Sequence, residues 1–201
     1  MYYQIIKRLV DILGTILGIT FLLPFLPLIA LAIKLDSPGP VLVKLDRVSA
    51  GKRIKIYKFR TMKTNTHHLK YSELALLNER RDGPFFKIKN DPRLTRIGKI
   101  LRKFRLDEFP QLINVLKGEI SLIGPRPHEP EEIKHYPEEY KTLPLAKAGV
   151  TGLSQVSGAS SLPFLKELKL DSYYVQNQSL WLDFKILAKT ILILLFDPTA
   201  I

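Results

Sequence analysis

No cysteine occurs in the 201 residues, which excludes a disulfide framework, a thiolate metal site and a cysteine nucleophile, and leaves the compartment open. The phosphate loop Gly-x-x-x-x-Gly-Lys-Ser/Thr is absent, as are Gly-x-Gly-x-x-Gly, His-Glu-x-x-His and any Asp-x-Asp pair, so the common nucleotide-binding and zinc-hydrolase folds have no support. Acidic residues are scarce, 19 against 31 lysines and arginines, a net charge of +12. A 46% hydrophobic content is enough apolar material to offset ordering entropy, so the chain is not a disordered one. Its length suits one compact domain with a short appendage. The charge calls for an anionic partner: nucleic acid, phospholipid headgroups or a phosphorylated substrate.

The positive charge is concentrated. Lys44 to Arg105 carries 19 basic and five acidic residues, a net of +14, and the remainder sums to about −2. Such a block is either a solvated, membrane-facing cationic skirt or a phosphate-binding face.

What is abundant lies at the N-terminus. Ile12 to Ile33 is a run of 22 uncharged residues, 16 of them Ala, Val, Ile, Leu, Met or Phe. As a straight helix it would reach about 33 Å, enough to cross a bilayer core. Lys7 and Arg8 resemble the basic start of a signal peptide, but the run is long and no Ala-x-Ala cleavage site follows. Pro24 and Pro27 each remove a backbone donor and crowd the carbonyl four residues earlier, which predicts a break near Leu23-Pro24. Both flanks are basic, Lys7 and Arg8 before the run and Lys34, Lys44 and Arg47 after it. A re-entrant helix that leaves by the face it entered places both flanks on one side, as the positive-inside tendency favours; a single kinked span is the alternative. Asp11 is expected at headgroup level, paired with Lys7 or Arg8.

After residue 36 the chain reads as a small α+β, mainly helical domain. Asp36-Ser37-Pro38-Gly39-Pro40 is a turn cluster; Val41–Leu45 and Arg53–Phe59 read as short strands joined by a hairpin turn at Ser49-Ala50-Gly51-Lys52. Thr66–Arg81 has a narrow apolar face suited to a helix or a loop. Thr95–Lys117 reads as two helices, the second starting near Asp107 or Glu108 so that Pro110 falls in its first turn, and ending at Gly118. Trp181–Phe196 suits an interfacial amphipathic helix with Lys185 and Lys189 snorkelling, or a core helix.

The candidate chemistry is the acidic dyad Asp107-Glu108, directly after Lys99, Arg102, Lys103 and Arg105. If Asp107 caps the following helix, its carboxylate sits at the positive end of the dipole and stays ionised; capping alone also explains the pair. In Gly124-Pro125-Arg126-Pro127 two prolines stiffen the backbone around an arginine, whose guanidinium can then bind phosphate bidentately at little entropic cost. Carboxylates, arginines and a divalent cation are the components of phosphoryl transfer. His128, alone in a loop, reads as a solvated residue.

Pro38-Gly39-Pro40, Lys58-Phe59-Arg60-Thr61-Met62, Asp91-Pro92-Arg93-Leu94-Thr95-Arg96-Ile97-Gly98, Leu106-Asp107-Glu108-Phe109-Pro110-Gln111-Leu112, Gly124-Pro125-Arg126-Pro127, Gly149-Val150-Thr151-Gly152 and Leu170-Asp171 through Tyr174 stand in the order seen in the bacterial sugar transferase family. The chain thus resembles the monotopic polyprenyl-phosphate phosphoglycosyl transferases over nearly its whole length, in a minimal form.

The resemblance implies a re-entrant membrane helix over 1–36, broken at Leu23-Pro24, and a cytosolic catalytic domain over 37–201, at the cytoplasmic face of the bacterial inner membrane. It implies transfer of a sugar 1-phosphate from a UDP-sugar to polyprenyl (undecaprenyl) phosphate, with release of UMP. Asp107 maps onto the family nucleophile and Glu108 onto the adjacent carboxylate, both associated with Mg²⁺. Lys58, Arg60, Arg102 and Arg126 map onto basic residues around the phosphates. Two positions depart from the family pattern: Leu23-Pro24 stands where Ser-Pro is usual, and Leu45-Asp46-Arg47 where Gln-Glu-Arg is common. A phospholipid surface is the expected setting and nucleic acid is not an expected partner, since Tyr57 and Phe59 alone make no base-stacking platform. The sugar, the pathway, the carrier length and the oligomeric state are left open by the sequence.

Overall fold

A computed structural model describes residues 2–158 and 161–196; residue 1, residues 159 and 160, and residues 197–201 lie outside the described residues. The order of elements mixes helix and strand. Helix α1 (Tyr2–Leu22) passes through a single 3-10 turn, Leu23–Phe25, into α2 (Leu26–Asp36). The hairpin β1 (Leu42–Ser49) and β2 (Lys52–Phe59) follows, then short 3-10 turns and α3 (Arg96–Lys103). A 3-10 helix, Leu106–Gln111, runs into α4 (Leu112–Leu116), and β3 (Ser121–Ile123), α5 (Pro130–Ile133), β4 (Gly149–Thr151), α6 (Leu153–Val156), α7 (Phe164–Gln176) and α8 (Leu180–Phe196) complete the chain.

The break expected at Leu23-Pro24 is present as the 3-10 turn, with Pro24 in its first positions, where a proline lacks a donor that would be orphaned in any case. The 35-residue stretch Tyr2–Asp36 is long and apolar enough to cross a membrane by length and composition, and little of it is buried. One narrow stripe, Asp11, Thr15 and Leu22 on α1 and Ile33 on α2, faces the rest of the molecule. The other faces expose large apolar side chains, Leu17 at 72% and Phe21 at 71% among them. Leu22 and Ile33 share a buried cluster with Phe59 of β2 and Leu101 of α3, so both sides of the break pack on the same body.

Polar bonds fasten the two ends of the stretch as well. Lys7 Nζ donates to Asp183 of α8 at 2.8 Å, and Arg8 donates to the Val115 and Leu116 carbonyls at the end of α4. Asp11 is not paired with Lys7 or Arg8. It is buried, and its Oδ1 accepts from the Ser121 hydroxyl and the Leu122 amide, both at 2.8 Å, because β3 opens its edge toward α1 there. At the far end Asp36 Oδ2 accepts the Ile97 amide at 2.8 Å, in the first turn of α3.

The hairpin forms as expected, with Ala50 and Gly51 both at positive φ (50° and 71°), the conformation that a two-residue turn matching the strand twist requires. Asn114, fully buried on α4, accepts the Tyr57 amide and donates to the Lys55 carbonyl, taking the place of a third strand beside β2. This locks the hairpin to the helix that follows the dyad. Segment 66–81 holds only two 3-10 turns, Ala75–Leu77 being one, since its apolar face is too narrow to bury a longer helix. Two three-residue strands that periodicity could not reveal, β3 and β4, pair in parallel, Ser121 with Gly149 and Ile123 with Thr151. Helix α8 buries Asp183 and Ile186 and exposes Trp181, Phe184, Leu192 and Leu195, so it is a core helix on one side and an open apolar surface on the other.

Candidate active site

The dyad lies in the 3-10 helix Leu106–Gln111, held against β2. Asp107 does not cap a helix: the cap residue is Arg105, in the left-handed conformation (φ 55°, ψ 20°), and it makes no side-chain cap bond. That kink turns the two carboxylates into the space between β2, α3 and the Gly124-Pro125-Arg126-Pro127 loop. Pro110 fits within the 3-10 helix, which runs on into α4 and ends at Gly118 with φ 77°.

Lys58, on β2, donates to Glu108 Oε1 at 2.5 Å. Burial opposes ionisation of Glu108, but the Lys58 ammonium, with Arg126 and Arg105 behind it, outweighs burial and holds the carboxyl below the usual range. Asp107 moves the other way. It is buried, and desolvation raises its pKa against the pull of Lys58 and Arg102, with the neighbouring Glu108 charge adding to the rise. Arg102 on α3 is anchored by donating from Nε to Thr61 Oγ1 at 3.1 Å.

Arg126 reaches the site from the opposite side. Its loop is fixed by backbone pairing: the Gly124 amide donates to Thr151 O and the Gly149 amide to Pro125 O, both at 2.9 Å. The two strands approach so closely that a Cβ on Gly149 would stand 2.1 Å from Gly124 N, and one on Gly152 2.0 Å from Gly124 O. This explains why the Gly-Val-Thr-Gly and Gly-Pro-Arg-Pro sequences belong together. The Arg126 amide donates to Asp171 Oδ2 at 3.0 Å, which gives the Leu170-Asp171 motif its role. Burial raises the Asp171 carboxyl to about 6, against the pull of the Ser154 hydroxyl and of His128.

The structure therefore brings Lys58, Arg102 and Arg126 around Asp107 and Glu108, together with Arg105, which motif reading left outside the site. Arg60 is placed elsewhere, contrary to expectation. It is 3% exposed, and its guanidinium donates to the carbonyls of Ile33, Ser37 and Pro38, to the Ser37 hydroxyl and, through Nε, to Pro40 O. The carbonyls left free at the end of α2 and its turn take up that guanidinium. His128 is likewise not solvated. It is buried, stacked on Phe85 at 4.7 Å, with Nδ1 3.6 Å from Glu132 and Nε2 4.0 Å from Glu167.

No cluster of three or more His, Asp or Glu suited to hold a metal exists among the described residues. The dyad offers at most two carboxylate ligands, and one of them is already paired with Lys58. That set fits Mg²⁺, which takes one or two carboxylates and completes its octahedron with phosphate oxygens and water. It does not fit a metal site that is filled by protein alone.

A carboxylate pair, Asp107 buried and Glu108 half-buried, is faced by four cations on the same body that carries the open apolar helix pair α1 and α2. The model of the bacterial sugar transferase family matches residues 2–197, and the chain belongs to that family. It is 41% identical to the UDP-galactose-lipid carrier transferase of Erwinia amylovora over 94% of this chain and 40% of that protein. It is 36% identical to the UDP-glucose:undecaprenyl-phosphate glucose-1-phosphate transferase of Escherichia coli K12, over 94% of this chain and 40% of that protein. Against the exopolysaccharide production protein PSS of Rhizobium leguminosarum the identity is 38%, over 93% of this chain and 94% of its relative. The chain thus spans about two fifths of the first two relatives and nearly all of the third.

Proposed function

We propose that the chain transfers a sugar 1-phosphate from a UDP-sugar to undecaprenyl phosphate at the membrane surface, through a covalent phosphosugar on Asp107. The observation that carries this reading is Asp107 itself, a buried carboxylate whose charge is opposed by its surroundings and faced by Lys58 and Arg102. A carboxylate poorly solvated in the resting site is a more reactive oxygen than one in water.

In the first step an Asp107 oxygen attacks the phosphorus that bears the sugar. The P–O–P bond breaks, and UMP leaves with the electron pair on its phosphate oxygen. In the second step a phosphate oxygen of the carrier attacks the same phosphorus, the acyl–O–P bond breaks, and the Asp107 carboxylate is restored as undecaprenyl-diphosphate-sugar forms. Neither step requires a net proton. Lys58, Arg102, Arg105 and Arg126 offset the repulsion between carboxylate and diphosphate and stabilise the charge that develops on the leaving oxygen. Mg²⁺, held by Asp107 and Glu108 with the substrate phosphates, would supply further charge neutralisation there.

The re-entrant topology belongs to the same proposal. Both ends of Tyr2–Asp36 bond to one body, Lys7 to Asp183 and Asp36 to Ile97, while its other faces are apolar and exposed. These features support a helix that dips into one leaflet from the cytoplasmic face of the inner membrane and leaves the dyad at headgroup level, where a polyprenyl phosphate presents its phosphate. The experiment is UMP release by the protein in detergent with Mg²⁺, from a panel of UDP-sugars, with and without undecaprenyl phosphate. Carrier-dependent release that Asp107→Asn abolishes is the expected outcome; release that ignores the carrier would instead make the protein a hydrolase.

A further inference from the structure

Behind the Gly-Pro-Arg-Pro loop lies a carboxylate that no motif singles out. Glu167, 2% exposed on α7, stands with Oε1 3.8 Å from Arg126 Nε and 4.0 Å from His128 Nε2, and with Oε2 3.3 Å from Arg80 NH1. Asp171, four residues on and therefore on the same face of α7, accepts the Arg126 backbone amide. One helix face thus grips Arg126 twice, the backbone through Asp171 and the side chain through Glu167.

The geometry of a guanidinium gives that grip a direction. Its five N–H groups form a planar fork, and a carboxylate backing it at Nε leaves the terminal nitrogens to point away. The Arg126 side chain is 39% exposed, and among the described residues nothing hydrogen-bonds to its terminal nitrogens. They are thus left to a ligand on the side of Glu108, whose charge acts on Arg126 second only to that of Glu167.

Glu167 also ties in a second segment. Arg80 donates to the Leu162 carbonyl at 2.8 Å and lies 4.7 Å from the Phe85 ring, which also packs on His128 and Phe164. Asn78 braces this stretch, donating to Arg80 O and Phe85 O and accepting from the Arg80 and Lys87 amides. Asp82 accepts the Phe164 amide at the start of α7.

We propose that Glu167 is a positioning residue, a buried carboxylate that aims the Arg126 guanidinium at the donor diphosphate while its other oxygen pairs with Arg80 and so braces the helix against segment 78–87. The proposal rests on the phosphate-binding role given to Arg126 above. A carboxylate serving only to neutralise a buried Arg80 would affect folding and would act independently of Arg126.

The test is a double-mutant cycle of Glu167→Gln and Arg126→Gln, read as kcat/KM for the UDP-sugar the protein uses and as affinity for UDP with Mg²⁺ by calorimetry. Glu167→Gln is expected to lower kcat/KM about tenfold, chiefly through KM, and to weaken UDP by a similar factor, in keeping with the cost of a misaimed binding group. In the Arg126→Gln background the same substitution is expected to cost less than about twofold. Equal losses in both backgrounds, or an unchanged KM with a lowered melting temperature, overturn the positioning role. An Arg126→Gln variant with wild-type KM and UDP affinity overturns the donor-site reading itself, a different failure. Should Glu167→Gln not fold, Glu167→Asp keeps the charge while withdrawing it by one methylene and serves in the same cycle.

Discussion

Lys58 Nζ meets Glu108 Oε1 at 2.5 Å, whereas no side chain among the described residues donates to the adjacent carboxylate, Asp107. Two neighbours in the chain are thereby driven in opposite directions, Glu108 toward its charged form and Asp107 away from it. Two consecutive carboxylates facing the same cations compete for them; the direct ion pair stabilises the Glu108 anion, and burial is left to oppose the charge on Asp107.

Asp107→Asn should separate activity from stability. A carboxyl whose folded pKa lies above its unfolded value loses stability as pH rises through that interval and costs stability above it. Replacement by the neutral amide should therefore leave the melting temperature at pH 7.5 equal or higher while turnover falls by at least about a thousandfold. A melting temperature well below wild type would show instead that the charge of Asp107 holds the fold.

Lys58→Gln addresses the other member. Burial disfavours ionised Glu108, and Lys58 is the largest force against it, so without the lysine the carboxyl must titrate higher. The acid limb of kcat/KM should move to higher pH, and the loss of activity should be smaller at pH 9 than at pH 6. A pH profile parallel to that of wild type would detach Glu108 from the reaction.

How much of this was legible in the sequence depended on the range of the interaction. The hairpin, the break at Pro24 and the start of the dyad helix are local consequences of Ala50-Gly51, of proline and of the Leu106–Leu112 pattern, and they stand where local rules place them. The surroundings of Arg60 and His128 are hidden from local rules because their partners come from distant segments: the α2 carbonyls, Phe85 and Glu167. The parallel pair β3 and β4 is invisible to periodicity at three residues each, although the glycines that permit it, Gly124 just after β3 and Gly149 and Gly152 at the two ends of β4, stand in the Gly-Pro-Arg-Pro and Gly-Val-Thr-Gly motifs. Glu167 carries no sequence signal beyond its spacing of four from Asp171.

Arg60→Lys should report on the fold and not on the donor. A lysine supplies one charged point and cannot serve carbonyls spread from Ile33 to Pro40. Loss of these charge-assisted bonds at a buried site should cost on the order of 3 kcal/mol. A melting temperature lowered by several degrees, with the donor KM unchanged, is expected; a raised KM at unchanged melting temperature would return Arg60 to the phosphates.

Cysteines introduced singly at positions 4 and 40 of this cysteine-free chain should both react with a membrane-impermeant maleimide from the cytoplasmic side only. Gln4 and Pro40 are exposed and stand on either side of the uncharged run Ile12 to Ile33. Followed as one straight helix, 35 residues would extend about 52 Å, more than a bilayer with its headgroups. In the fold, however, Lys7 is bonded to Asp183, Arg8 to the end of α4, Asp11 to β3, and Asp36 and Arg60 join the other end to α3 and β2. A spanning helix would have to break one of these sets of bonds or draw the charged hairpin into hydrocarbon, where each unpaired ion costs several kcal/mol. A bend at Leu23–Phe25 would keep every one of them and turn the exposed apolar side chains, Leu17 and Phe21 among them, toward lipid. Labelling from opposite sides would mean that the bonds at one end are not made in the membrane, and the dyad would lose the support that places it at the surface.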